Sequence, residues 1–309
     1  MPPPPLAPLG QDTHRAVALQ PIRRAADGTY RLGAAGPDGQ FLDAFAHRWC
    51  RPDTAGPPPG ARLRGPTAYG GVAMNHFGHF LLEALSRLWF LQRHPELPVV
   101  WHWIDLPVPH ATWPGWIGQL LRLVGLGGHR HVILRQPALA EEIVVAESGF
   151  RTMQWLHPDQ AAALSRLDGP ADAPGGRIWL SRAHLPPTFG RIEGEAAVED
   201  LLTRRGWTVL RPEMLPVMQQ AGLFAAADVV SGFAGSAFHA VLLQASPRAC
   251  LRPVIRPAVQ MRDYGIIAAT RTLNQVPIDA ALTALDSRGS WTSYRIGDPA
   301  DLAARIDAP

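Results

Sequence analysis

Between residues 177 and 255 short apolar stretches alternate with longer amphipathic ones, and nothing else in the sequence restricts the fold so tightly. RIWLS at 177–181 predicts a strand, 195–205 a helix, WTVL at 207–210 a strand and 216–227 a helix. DVVSG at 228–232 predicts a third strand, 236–245 a third helix and 249–255 a fourth strand. Strands separated by helices of this length do not pair as hairpins; they are joined by right-handed crossovers and form a parallel sheet covered by helices. Ligands of such sheets sit beyond the carboxyl ends of the strands. The useful chemistry is thereby confined to a few loops.

Upstream the pattern is looser. A helix over 79–93, a strand over 97–104, a helix over 116–125 and strands near 131–135 and 142–147 make a second α/β region. LDGPADAPGG at 167–176 has no apolar period and reads as a linker. The proline-rich residues 1–10 are expected to be disordered, and RPDTAGPPPGARLRGP at 51–66 is a second cluster of breakers, so the organised chain is expected to begin near Tyr69. The predicted division is an N-terminal segment of 1–68 associated with the first lobe, a first α/β lobe of 69–168, and a second of 169–309 ending in a helix over 298–306. Two lobes of about 150 residues suit the length.

Charge and cysteine usage exclude several classes. All 29 basic residues are arginine, the net charge is only +3, and the arginines are scattered, which argues against nucleic acid. Cys50 and Cys250 are too few and too distant for a disulfide framework or a zinc site. MPPPPLAPLGQ lacks the features of a signal peptide, and no stretch reaches about 18 uninterrupted apolar residues, so a cytoplasmic protein is expected. Association with the inner face of a membrane through a partner stays open.

Three segments carry candidate chemistry. In NHFGHFLLEALSRLW at 75–89, Leu81, Leu82, Leu85, Leu88 and Trp89 form an apolar helical face, while His79, Glu83 and Arg87 fall four apart on a polar stripe. A histidine beside a carboxylate is a general-base arrangement, although on spacing alone an ordinary surface ladder is the commoner explanation. In DVVSGFAGSAFHAVL at 228–242, Gly232 and Gly235 permit close backbone approach, Ser236 is placed to cap the next helix, and His239 follows one turn inside. A strand, glycine turn and helix N-terminus presents N–H groups to an anion, and a tight structural turn is the competing reading. In LSRAHLPPTFGR at 180–191, Arg182 stands at a strand end, with His184 and Arg191 in the loop beyond. The HRH triplet at 129–131 is explained by strand alternation, and the tryptophans, Trp101, Trp103, Trp113 and Trp116 among them, by packing. There is no Asp-x-Asp pair, GxSxG elbow or HExxH helix.

Taken in order, these segments resemble glycosyltransferase family 61, whose members include bacterial capsular and exopolysaccharide transferases. GHFLLEALSRL is similar to the family's first motif. Ser181, Arg182, Arg191, Glu195, Gly206, Trp207, Pro212, Glu213, Gln220, Leu223, Phe224, Gly232, Gly235, Ser236 and His239 follow at matching intervals. Gly194 stands where the family often has Asn, and Gln219 where it often has Glu. The resemblance implies a GT-B architecture of two Rossmann-like lobes with parallel sheets facing a central cleft. It also implies an inverting transfer from a nucleotide-sugar donor to a saccharide or lipid-linked acceptor, without a metal or other cofactor. Under it His79 and Glu83 are the catalytic pair, with the base left open between them. Arg182, Arg191, Gly235, Ser236 and His239 bind the donor, and Asn75, Arg87, Glu213 and Gln220 support. A non-catalytic glycan- or nucleotide-binding relative and a nucleotide-sugar epimerase or hydrolase are the alternatives, because a fold does not fix a reaction.

Overall fold

The computed structural model describes residues 6–104, 113–168 and 175–308. The chain divides into two compact units, residues 1–152 with 156–163, and residues 153–155 with 164–309. Most of the linker expected at 167–176 lies outside the described residues. No described helix is long and apolar enough to cross a membrane.

The first unit is built on seven strands: β1 (Gln11–Arg24), β2 (Tyr30–Ala35), β3 (Cys50–Pro52), β4 (Ala61–Ala73), β5 (Val99–Trp103), β6 (His131–Ile133) and β7 (Ala138–Ala146). Their order across the sheet is β3-β2-β1-β7-β4-β5-β6. β4 runs parallel to β5 and β7, β5 to β6, and β2 to β3, while β1 is antiparallel to both its neighbours. The sheet is therefore mixed, with β1 alone against the other six, and this corrects the all-parallel Rossmann-like expectation for the first lobe. The organised chain also begins at Gln11 rather than near Tyr69. Residues 6–10 form no strand, but Gly10 and Glu147 bond to each other through both backbone and side chain. Val17, Leu19, Leu32, Phe45, Tyr69, Val100 and Ile143 from five strands and a short turn fill the core.

The helix expected over 79–93 is broken into α1 (Phe77–Leu82), a 3-10 turn at Ala84–Arg87 and α2 (Leu88–Leu91). The cause is a side chain inserted into the helical ladder. In a continuous helix the Trp89 N–H would bond the Leu85 carbonyl; instead the fully buried amide of Gln160 donates to Leu85 O (2.8 Å) and accepts from Trp89 N (3.2 Å). α3 (Gly115–Leu123), the short strands β8 (Phe150–Arg151) and β9 (Trp155–Leu156), and α4 (Pro158–Leu164) follow. Trp101 is buried against Phe80 and Trp113, so it packs rather than presents a surface. His129 and His131 each bond a backbone carbonyl, Leu91 O and Leu126 O, in agreement with a structural role.

The second unit holds a four-stranded sheet of β10 (Arg177–Leu180), β12 (Thr208–Leu210), β13 (Val229–Phe233) and β14 (Cys250–Val254), all parallel, in the order β12-β10-β13-β14. Helices α5 (Glu195–Arg204) and α6 (Val217–Ala226) make the crossovers, and β11 (Ile192–Glu193), β15 (Thr283–Ala284) and β16 (Tyr294–Arg295) form a small second sheet. The element expected as a helix over 236–245 is a 3-10 helix at Ser236–Leu243. α7 (Arg262–Arg271) precedes the closing α8 (Pro299–Asp307), whose first turn is capped by the Asp298 carboxylate on Ala300 N and Asp301 N. Asp307 at its end binds Arg177 and Trp207. The chain leaves β10 toward β12 on one side, then returns to place β13 on the other. The carboxyl ends of β10 and β13 thus flank a topological switch point, where sheets of this kind bind ligands.

Candidate functional site

Each unit brings part of the predicted chemistry together. In the first, β4 ends at Ala73, and the backbone turns through Met74 to His76, which is extended (φ −140°) and caps α1 by accepting from His79 N at 3.4 Å. This sets His79 in the first turn. Its Nδ1 lies 2.6 Å from Glu83 Oε1. Glu83 is also gripped by Arg48, whose Nε and Nη2 donate to the two carboxylate oxygens at 2.8 Å each. Such a two-point guanidinium–carboxylate bond is strong and directional.

Arg48 comes from the turn before β3, as do His47, whose Nε2 stands 3.9 Å from Glu83, and Trp49, which meets the His79 ring edge-on at 4.7 Å. The Arg48 guanidinium also lies 4.7 Å over the Trp49 ring. Burial alone would push the Glu83 carboxyl upward, but the hydrogen bonds from Arg48 and His79 overrule it and hold it at about 2. Burial pulls His47 down to about 4, and burial with the neighbouring His79 does the same for His76. At neutral pH an ionised Glu83 carboxylate stands beside the neutral imidazoles of His47 and His76.

With Glu83 ionised, the proton between the pair belongs to His79 Nδ1, which donates to the carboxylate. No described protein atom bonds Nε2, and the His79 side chain is 29% exposed against 11% for Glu83. The pair is therefore not a solvated surface ladder. Arg87, expected on the same stripe, is turned away by the broken helix: its Nε donates to Ala146 O at 2.8 Å, and its guanidinium covers Tyr69 at 5.1 Å. Asn75 accepts from Trp116 Nε1 at 2.9 Å, a tie between the turn before α1 and α3.

In the second unit, Arg182 follows the carboxyl end of β10, and Gly235 follows that of β13. A Cβ on Gly235 would stand 3.2 Å from Arg182 Nη1, so the two ends meet. They can approach because Gly232 has φ +156° and a side chain there would strike Leu180 Cβ and O at 2.8 Å. Arg182 Nη2 donates to Phe189 O at 2.9 Å, while its buried Nε has no partner and no carboxylate lies within ion-pair distance among the described residues. Burial lowers the Arg182 guanidinium from its ordinary value. Glu195, at the start of α5, accepts from Arg182 N at 2.8 Å, and burial raises its carboxyl to about 8. It is mostly neutral at pH 7 and leaves the positive charge largely uncompensated.

Ser236 does not act as a cap: Gly235 occupies that position, and no side-chain cap bond forms. His239, on the 3-10 helix, lies tilted against the Tyr264 ring with centroids 5.2 Å apart. Gln220 donates to Pro212 O (2.5 Å) and Leu215 O (2.9 Å), fixing the turn that carries exposed Glu213. Arg191 is exposed, its backbone engages Ser293 and Tyr294, and no contact joins it to Arg182. Gly194 has φ +94°. Asn is the residue after glycine that best tolerates this region, so the departure from the family's Asn preserves the backbone.

The residues that sequence reasoning missed are His47, Arg48 and Trp49, which sit in a segment without period, and Arg256 and Tyr264. Arg256 lies two residues past β14, and its buried Nη1 donates to Ala234 O at 3.1 Å. Tyr264 OH donates to Gly235 O at 2.7 Å. A basic residue just beyond a predicted parallel strand was the available signal for Arg256. Among the described residues no group of three or more His, Cys, Asp or Glu side chains could hold a metal ion. In comparison with known proteins, the sequence model of the family described as Glycosyltransferase 61 matches residues 77–251. No curated protein matches the chain.

Proposed function

The chain belongs to glycosyltransferase family 61, and from that premise we propose that it is an inverting, metal-independent enzyme that moves a sugar from a nucleoside diphosphate to a saccharide or lipid-linked acceptor. The observation that carries the reading is the pairing of Arg182 with the Gly235 turn at the switch point of the parallel sheet. A departing diphosphate needs cations and N–H dipoles aimed at its growing charge, and a half-buried guanidinium without a carboxylate partner supplies that without a metal. The second unit is the donor side, with His239 beside the phosphate or ribose, and Arg191 a weaker candidate because nothing ties it to Arg182.

The first unit is the acceptor side. There His79 is the base and Glu83 its orienting partner, since a carboxylate held at about 2 with both oxygens engaged is a poor proton acceptor. The acceptor oxygen attacks the anomeric carbon in line and its proton passes to His79 Nε2. The bond from that carbon to the diphosphate oxygen breaks, and the diphosphate leaves with the electron pair. The ionised Glu83 stabilises the imidazolium that results. Capsular, exopolysaccharide or other surface-glycan synthesis at the cytoplasmic face of a membrane is the setting this chemistry suits.

The test is calorimetry and thermal shift against UDP, GDP, CMP and their sugar conjugates, with and without EDTA. One nucleotide should stabilise the protein equally in both conditions, and Arg182→Ala should weaken that binding about 10- to 100-fold, the loss expected for a charge-assisted contact, with the melting temperature of the free protein unchanged. Binding that requires a divalent ion overturns metal independence. Failure of every nucleotide to bind favours a non-catalytic relative, and nucleotide release that does not depend on acceptor favours a hydrolase.

A further inference from the structure

Most aromatic rings of the second unit are buried, among them Trp179, Trp207, Phe233, Phe238 and Tyr264, but Phe189 and Trp291 are 36% and 38% exposed. These two touch each other edge to face, with ring centroids 5.0 Å apart and planes at 74°. The backbone builds the pair. Each ring ends a 3-10 turn, Pro187–Phe189 or Gly289–Trp291, and each stands three residues before a matched position of the parallel strands β11 and β16, where Ile192 faces Tyr294. Gly190 (φ +78°) lies so close to the second turn that a Cβ there would stand 2.5 Å from Trp291 O and 2.6 Å from Thr292 O. The two loops are thereby locked together, and the rings are held side by side. Neither ring joins the buried core of the unit, so folding gains little from setting them together in water. A joined, solvent-facing aromatic pair of this kind marks a place for a ligand.

The ligand is identified by what lies next to the pair. Arg182 Nη2 donates to Phe189 O at 2.9 Å, while Nη1 stands at the Gly235 turn. One guanidinium therefore spans from the switch point of the parallel sheet to the residue that bears the first ring. A phosphate held by Arg182 carries its base one ribose away, and the loop that the same guanidinium touches offers aromatic faces. Every base has a π face that stacks on such rings. We propose that Phe189 and Trp291 seat the nucleobase of the donor. The inference rests on the donor-site reading above and adds a subsite for the part of the nucleotide that Arg182 does not hold. Trp291 lies beyond the 77–251 segment that carries the family likeness, so this half of the seat belongs to the chain's own C-terminal stretch.

The experiment titrates the full chain by calorimetry with UDP, GDP, ADP and inorganic pyrophosphate, which carries the diphosphate without base or ribose. At least one nucleoside diphosphate should bind the unaltered protein more tightly than pyrophosphate. Trp291→Leu and Phe189→Leu each remove one aromatic face from an exposed position, so the melting temperature should hold. Each should weaken that nucleotide by at least about 5-fold, the lower end of what one base-stacking ring contributes, and leave pyrophosphate affinity unchanged. Trp291→Phe, which keeps a ring, should recover part of the loss. Full nucleotide affinity in both leucine variants, or pyrophosphate weakened as much as the nucleotide, overturns the base seat and leaves the donor site standing. A nucleoside diphosphate that never outbinds pyrophosphate overturns it as well. If neither pyrophosphate nor any nucleotide binds the unaltered protein, the donor-site reading falls and the inference with it.

Discussion

Replacing Arg48 with methionine isolates what the guanidinium does for Glu83. Methionine fills much of the same volume along the Trp49 ring but offers no donor to either carboxylate oxygen. Glu83 is held at about 2 against an ordinary 4.5. At about 1.4 kcal/mol per unit, that displacement is worth roughly 3 kcal/mol of native-state stability at neutral pH. Arg48 is only one of the two hydrogen-bonding partners, and its side chain is 44% exposed, so solvent screens part of its share. A loss of about 1–3 kcal/mol is expected. The sign follows from the direction of the shift: a depressed carboxyl contributes fully above its unfolded value and loses the contribution as pH falls through the folded one. The gap between the two proteins should be widest above pH 5 and should close toward pH 2. Urea unfolding followed by tryptophan fluorescence in steps from pH 7 to pH 2.5 measures it. A gap that stays constant with pH, or no gap at pH 7, refutes the reasoning.

Three further outcomes follow from the two sites. His79→Asn should lower kcat by at least about 100-fold, the scale of a lost general base, while nucleotide affinity and melting temperature hold. Glu83→Gln should also keep nucleotide binding and lose turnover, and full turnover in either variant rules out the role assigned to that residue. Glu195→Gln should behave oppositely to the Arg48 variant: because burial raises Glu195 to about 8, its folded form keeps a proton that the unfolded chain has lost, and stability falls as pH rises from about 4.5 to 8. The glutamine retains an acceptor for Arg182 N, so it should match the native protein near pH 4 and exceed it by about 2 kcal/mol or more at pH 8; a loss of stability at pH 8 would show the carboxyl is ionised there and paired.

The second unit was legible because its strands and helices keep one period each. The four expected strands and both crossover helices stand within two residues of their predicted ends. The first unit was not, and the reasons are tertiary. The proline and glycines that read as breakers in ARLRGPTAYGG fall where β4 shifts register against its neighbours, between Leu63 and Pro66 and between Tyr69 and Gly71. β1 is exposed along its first half, and its strand state depends on β2 and β7 flanking it. The interruption of the 79–93 helix depends on Gln160, some seventy residues away, which no local pattern reports. Of the site, His79, Glu83 and Arg182 were visible because local spacing put them on a helix stripe or a strand end. Arg48 and Arg256 act across long sequence separations, and a single sequence shows no sign of such partnerships.

The position of β1 and β4 has a consequence for how the molecule is divided. The stretch that carries the family likeness, 77–251, omits β1 to β4 and so takes away both neighbours of β7 and one neighbour of β5. A polypeptide cut to that stretch would leave β7 with two bare edges, free to zip onto other chains. It would also lack α8, whose Asp307 ties down Arg177 and Trp207. The segment by which kinship is detected is therefore not a unit that folds: inheritance and autonomy follow different borders in this protein, and shortened versions should precipitate rather than work at a reduced rate.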